Sequence, residues 1–416
     1  MVHRGVLGSA GVPVKFHDLR MSEADGSGGS MRRLTVLQII PALEGGGAER
    51  CVLAVNNGLV LAGHRSLVAS GGGRLVHSVV SAGGEHFELP VGSKSPQLLR
   101  SLPALRRLLG SAAVDVVDVH SRLPAWLVRL VFRTLRRQSR PALVMTVHGL
   151  NSPGPYSRVM LRGDAVVAVS GTVRSHLRAI DPRGDHRHVI VIPRGVDGSE
   201  FPRGWQAGDS WRRAFERQFP ELCGRQLLTM PGRLVRSKGH ADLLRLLAEL
   251  FSEGRPVHGV IVGDTAGREH YAEELRELAK VLGVADRVTF TGFRSDMREI
   301  YSISAIVLSL SQKPESFGLT VAEAISLGIP VVGYAHGGVS ELLREAFPAG
   351  AVEPGNLREL ADRVRRILDS AGDEAVGEGL VNSRPGLFRY DQKAMVAGTL
   401  ELYAGLDAAR RSDGRR

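Results

Sequence analysis

Short apolar, β-branched runs alternate with longer stretches of helical periodicity along almost the whole chain. That alternation predicts parallel α/β sheets, because each strand must return to the same edge through a helix. In the first half the pattern predicts strands at 34–40, 66–69, 114–119, 143–147, 165–169 and 189–192. In the second half it predicts strands at 227–230, 259–262, 288–291, 305–308, 330–333 and 349–352. No short-period repeat is present. The chain repeats only in its architecture, as two wound halves joined at Ile192-Pro193-Arg194-Gly195-Val196-Asp197.

At 416 residues the chain is long enough for two full cores. A hydrophobic fraction of 43% with 23% charged residues is that of a globular protein, and no apolar run is long enough to span a bilayer. Residues 1–30 are Gly/Ser-rich near their end and lack a secretory apolar core; they are expected to form a disordered extension, with Met31 as an alternative start. Cys51 and Cys223 have no metal-ligand spacing and point to a reducing, cytoplasmic compartment. The net charge of +11 is uneven: residues 1–200 carry 25 Lys+Arg against 14 Asp+Glu, while residues 201–416 carry 29 of each. The first half therefore calls for an anionic partner.

Open α/β sheets bind ligands beyond the carboxyl ends of their strands, and the chemistry-bearing motifs fall there. Residues 315–341 read ESFGLTVAEAISLGIPVVGYAHGGVSE. Glu315 lies on a loop, a helix begins near Leu319, Glu323 follows on its first turns, and Gly328 closes it. The N–H groups of Phe317, Gly318 and Leu319 would stand at the positive end of that helix, where anions and hydroxyl oxygens bind. Two carboxylates flanking the turn can accept bonds from two separate sets of hydroxyls. After the strand at 227–230, Pro-Gly-Arg-Leu-Val-Arg-Ser-Lys-Gly-His sets Arg233 and Lys238 on a strand-to-helix loop. Two cations there suit a diphosphate.

The pattern Glu-x-Phe-Gly-Leu-x3-Glu-Ala, followed by Gly-x-Pro-Val-Val and Gly-Gly-x-x-Glu, resembles the donor-sugar signature of the retaining nucleotide-sugar glycosyltransferases of family 4. The resemblance implies the GT-B architecture: two Rossmann-like parallel-sheet domains facing a central cleft. It divides the chain into an acceptor domain, 31–195, completed by a C-terminal helix at 391–409, and a donor domain, 196–390. It implies that Glu315 holds sugar hydroxyls, Glu323 the ribose, and Arg233 and Lys238 the diphosphate, with no resident cofactor. It also places Phe293 of Gly292-Phe293-Arg294 against the nucleotide base, partly through its backbone. The Gly263-Asp264-Thr265 loop is a weaker member of the donor set. Arg194 stands where the family's interdomain Ile-Pro-Asn-Gly-Val-Asp has Asn.

The first half carries the motifs more loosely. Glu44-Gly45-Gly46-Gly47-Ala48-Glu49 follows the first strand, and Gly46 and Gly47 let the backbone approach a phosphate or sugar. It is no dinucleotide fingerprint, since Arg50 replaces the third glycine and the second strand ends in Ser70-Gly71, without a ribose-binding carboxylate. His148 ends a strand in Thr146-Val147-His148-Gly149, where the family carries a His near the donor sugar. His120-Ser121-Arg122 stands at another strand end, so His120 and Arg122 are acceptor-side candidates. Leu34–Arg50, the Gly63-His64 turn and His120–Trp126 are similar to bacterial transferases that build lipopolysaccharide core or other envelope glycans.

Read together, these features predict a hexosyl transfer from a UDP-, GDP- or ADP-sugar to a glycan or glycolipid acceptor. No Asp-x-Asp motif calls for a metal. A helix at 124–140 would align Trp126, Arg129, Arg133, Arg136 and Arg140 on one face, which predicts docking at an anionic membrane surface on the inner face of the plasma membrane. Two other readings are a GT-B epimerase or other sugar-phosphate enzyme and a basic nucleic-acid-binding protein. An aromatic content of 5% and the absence of a recognition motif weigh against nucleic acid.

Overall fold

The apolar runs assemble into two fully parallel sheets in a computed structural model of the chain, which describes residues 32–92, 97–370 and 389–414. The N-terminal extension, including Met31, lies outside the described residues. The described residues from Leu34 onward form one compact unit. The first sheet holds β1 (Thr35–Ile39), β2 (Arg65–Ser70), β3 (Glu85–Glu88), β4 (Val116–Val119), β5 (Ala142–Val147), β6 (Ala165–Ala168) and β7 (Val189–Val191) in the order β3-β2-β1-β4-β5-β6-β7. The second holds β8 (Gln226–Pro231), β9 (Val257–Val262), β10 (Val288–Gly292), β11 (Ile306–Ser309), β12 (Val331–Tyr334) and β13 (Ala351–Val352) in the order β10-β9-β8-β11-β12-β13. This is the doubly wound arrangement, made twice.

Twelve of these strands coincide with the apolar runs. The edge strand Glu85–Glu88 has no such run: its sequence is EHFE, and its residues are exposed or half-buried. Pairing with β2 creates it, from Leu67↔Glu85 to Ser70↔Glu88.

Successive side chains of β1 point to opposite layers. Leu37 and Ile39 join one core with Leu67, Leu105 and Val117. Leu34 and Val36 join another with Leu59, Met395, Leu402 and Tyr403. The last three belong to the helix Gln392–Ser412, which therefore covers the second face of the first sheet. Tyr403 also donates to the buried Asp118 carboxylate at 2.6 Å, which takes Thr146 Oγ1 at 2.8 Å. The chain passes between lobes beside this helix: Val196 N donates to Tyr390 O at 2.7 Å and Gln392 N to Val196 O at 3.0 Å. Gly195 is obligatory there, since a Cβ would overlap the Asp391 carbonyl carbon and Gln392 N.

The helix expected at 124–140 is shorter and runs Arg122–Thr134. Thr134 Oγ1 bonds back to Val131 O at 2.7 Å, and Leu135 turns extended. Arg140, whose φ/ψ is −79°/134°, precedes Pro141, which disfavours helix at that position. Arg136 and Arg140 therefore leave the predicted stripe.

Candidate functional site

Each sheet has one crevice where strand order reverses, between β1 and β4 and between β8 and β11. In the second sheet the β8 crevice loop carries Gly232, Arg233 and the 3-10 turn Arg236–Lys238 into the helix His240–Ser252. The β11 loop carries Ser311 through Gly318 into the helix Leu319–Leu327. Buried Asp242 braces the two loops: Oδ2 accepts from Gln312 Nε2 at 2.5 Å and Tyr334 hydroxyl at 2.8 Å, while Gln312 N donates to Ser237 O at 2.7 Å. The result brings Lys238 Nζ to 2.8 Å from Glu315 Oε1, which Ser311 Oγ also reaches. Glu315 Oε2 has no protein hydrogen-bond partner among the described residues. Arg233 is exposed, and its guanidinium makes no ion pair among the described residues.

The Gly-Gly pair of the motif holds this loop in place. Gly338 N donates to Glu315 O at 2.8 Å, and a Cβ on Gly338 would stand 2.5 Å from Phe317 Cα and O. Phe317 packs its ring edge-on to Tyr390, 5.7 Å between centroids, and is buried, so only its backbone is offered to a ligand. Gly318, at φ 97°, is the N-cap of the Leu319 helix and leaves its N-terminus without a side-chain cap. Glu323, one turn on, is buried, accepts from Tyr301 hydroxyl at 3.1 Å, and meets Arg50 of the other lobe at 3.5 Å. Burial pushes its carboxyl up to about 7, with Arg50 and the Tyr301 hydroxyl opposing the shift.

Two donor-side candidates have distinct surroundings. Phe293 is 63% exposed, with the Arg74 guanidinium of the first lobe 5.8 Å from its ring centroid. Gly263 is needed for packing, because a Cβ would overlap Gly232 O beneath the Arg233 loop.

In the first lobe, Gly46 is the extended N-cap of the helix Gly47–Leu61, again without a side-chain cap. Across the crevice, His148 Nδ1 accepts from Arg194 Nη2 at 2.8 Å, and His148 Nε2 lies 2.8 Å from His120 Nδ1. A neutral His148 that accepts at Nδ1 carries its proton on Nε2 and donates it to His120. His120 then directs Nε2–H toward Asp118 Oδ2, 3.7 Å away. Burial lowers both imidazoles; for His148 the neighbouring Arg194 charge and His120 deepen the fall well below the usual range, whereas Asp118 moderates it for His120. The side chain of His120, an acceptor-side candidate in sequence, is 1% exposed, and its Nδ1 faces His148. Arg122 bonds Ser152 and Ser157 hydroxyls at 3.2 and 3.1 Å and stacks over Tyr156.

Two further contacts hold the lobes together at the site. Ser170 Oγ donates to Ser316 O at 2.6 Å. Glu341, last residue of Gly-Gly-x-x-Glu, accepts from Gly171 N at 3.0 Å and from Thr172 N and Oγ1 at 2.5 Å each, capping the helix Gly171–Ile180. Sequence reasoning gave Glu341, Arg50 and Arg194 no role. For Arg194 the available signal was its replacement of the family's Asn.

Residues 45–200 match the family described as Glycosyltransferase Family 4, and residues 212–376 match Glycosyl transferases group 1. The D-inositol 3-phosphate glycosyltransferase of Acidothermus cellulolyticus is 30% identical over 321 residues, 72% of this chain and 68% of that relative. The chain belongs to the family 4 glycosyltransferases. A GDP-mannose-dependent alpha-(1-6)-phosphatidylinositol monomannoside mannosyltransferase of Mycobacterium tuberculosis is 26% identical over 322 residues, 74% of this chain and 80% of the relative. The solved structure of a glycosyltransferase from Rickettsia africae superposes with a TM-score of 0.78 at 27% identity, covering 90% of this chain and 98% of that one, so the two lobes have the GT-B fold. Two Streptomyces kanamyceticus relatives, 32% and 31% identical, match 38% and 44% of this chain, which spans only 40% and 46% of their lengths.

Proposed function

We propose that this chain transfers a hexosyl-type sugar from a nucleoside-diphosphate sugar to an acceptor hydroxyl with retention of anomeric configuration. The observation that carries the reading is the Lys238–Glu315 pair at the β8/β11 crevice, with Arg233 on the same loop as Lys238 and an uncapped helix N-terminus following Glu315. The two cations and the helix N–H groups would stabilise charge that grows on the departing diphosphate. Glu315 Oε2 is the acceptor offered to sugar hydroxyls, and Glu323 that offered to the ribose. No acceptor-side carboxylate serves as a nucleophile in this reading, as one would in a retaining glycosidase pair. The leaving diphosphate instead takes the acceptor's proton on the face from which it departs. The reading invokes no metal. A GDP-mannose-dependent relative supports a nucleotide-sugar donor. Incubation with UDP-, GDP- and ADP-sugars should give turnover of one donor, and NMR of the product's anomeric proton should show an α linkage from an α donor. A β product would overturn retention.

The acceptor side of the proposal is an envelope glycan or glycolipid, such as a lipopolysaccharide core, reached at an anionic membrane surface on the cytoplasmic side. No helix among the described residues is long and apolar enough to cross a membrane. Although the Arg stripe ends with its helix, the following turn gathers the charges differently. Arg129, Arg133, Arg137, Arg140, Arg162 and Arg410, with Asp164 among them, line one depression of about 280 Å³. Trp126 and Leu130, 38% and 43% exposed, border an adjoining one. An amphipathic basic surface suits anionic headgroups, at about 1 kcal/mol per charge near the surface. In vesicle sedimentation the protein should bind phosphatidylglycerol-containing vesicles more than zwitterionic ones, and Arg129→Gln/Arg133→Gln/Arg137→Gln should lose the difference. Equal binding to both vesicles would remove the membrane from the proposal.

A further inference from the structure

Arg194 is a half-buried cation of the crevice region that neither the family signature nor the proposed function employs. Its Nη2 donates to His148 Nδ1, a neutral acceptor, while its Nε is buried and has no hydrogen-bond partner. No carboxylate stands within ion-pair distance of it among the described residues. Glu49 offsets its charge at longer range, and its carboxylate folds back against Gly46 instead. Leaving a buried guanidinium nitrogen without a partner is costly, and an anion at the guanidinium would offset that cost.

Two helix N-termini stand beside the guanidinium. A Cβ built on Gly47 would lie 2.7 Å from Arg194 Nη1 and 3.6 Å from Leu319 Cδ2. Gly47 and Leu319 are the first residues of two helices, of 15 and 9 residues, from opposite lobes, and neither helix has a side-chain N-cap. Arg194 also lines a cavity of about 40 Å³ with Gly47, Leu319 and Arg50, and the carboxylates Asp197, Glu200 and Glu323 line it too. Two positive helix ends and a guanidinium with one uncommitted edge therefore meet at the junction of the lobes.

We propose that Arg194 binds the distal phosphate of the nucleoside diphosphate from the first-lobe side, opposing Arg233 and Lys238 of the second lobe. The proposal rests on the nucleoside-diphosphate donor reading. It gives the leaving group a cation from each lobe, so that the closed arrangement of lobes and the neutralised diphosphate occur together. His148, with both ring nitrogens committed, orients the guanidinium.

The test is calorimetric binding of the nucleoside diphosphate and monophosphate whose base the donor panel identifies. Wild type should prefer the diphosphate. Arg194→Asn, which installs the family's residue, should lose about 10–100-fold in diphosphate affinity, the worth of one charge-assisted contact, with monophosphate affinity unchanged within about 3-fold. Arg194→Lys should keep most of the preference. On the wild-type protein, the diphosphate but not the monophosphate should slow phenylglyoxal modification of Arg194, read by peptide mass spectrometry; this arm stands even if Arg194→Asn does not fold. Equal losses for both nucleotides, or modification indifferent to the diphosphate, would overturn the proposal and leave Arg194 as a support for His148. A wild-type protein that binds no nucleoside diphosphate would instead refute the donor reading on which it rests.

Discussion

Lys238→Ala should lower glycosyl-transfer turnover by about 10²–10³-fold, with little change in thermal stability. Lys238 is proposed to act twice: its ammonium faces the departing diphosphate, and it holds Glu315 Oε1 at 2.8 Å. The pair is partly buried, at 24% and 22% side-chain exposure, so solvent screens it less than a surface ion pair. Arg233→Ala should be nearly as damaging to turnover, through the phosphate alone, since Arg233 is exposed and ties down no other site residue. Glu315→Ala should fall as far as Lys238→Ala, and the double variant should lose much less than the product of the two single losses, because the residues share one contact. Steady-state kinetics with the identified donor decides this. Near wild-type turnover in either cation variant would remove the diphosphate assignment.

Gly338→Ala should both destabilise the protein and reduce transfer about as strongly as loss of Glu315. The added Cβ would stand 2.5 Å from Phe317 Cα and O and 2.7 Å from its N. These are backbone atoms, which no rotamer change can move aside. The Glu315–Leu319 turn must shift, and the Glu315 carboxylate with it, away from Lys238. Overpacking of this kind costs about 1–3 kcal/mol. Gly405→Ala is the matched control: it lies within the helix Gln392–Ser412, and its Cβ would meet nothing within 4 Å. That substitution should be neutral or stabilising by up to about 1 kcal/mol. Comparison of melting temperature and turnover across the two variants tests the account. A Gly338→Ala protein with unchanged melting and transfer would show that the turn tolerates the methyl group.

Strand positions and the helix that follows Gly318 were legible in the sequence because both are local. A strand covered on two faces must be apolar throughout its length, and helix starts such as Leu319 and stops such as Gly328 are set by neighbouring residues. The order of loops then placed Arg233, Lys238 and Glu315 at strand ends without knowledge of the sheet. Glu85–Glu88 was illegible because its strand character comes from its partner rather than its own composition. The end of the helix at Thr134 was obscured because charge spacing continues beyond the point where the backbone turns toward Pro141. Tertiary structure alone decided what meets across the lobes. Glu341 caps a helix some 170 residues earlier, Arg50 reaches Glu323 over 273, and Arg194 lies beneath one helix start and beside another. Such pairings leave no period in the sequence, because the separation of two residues along the chain does not encode their distance once two sheets have folded and faced each other.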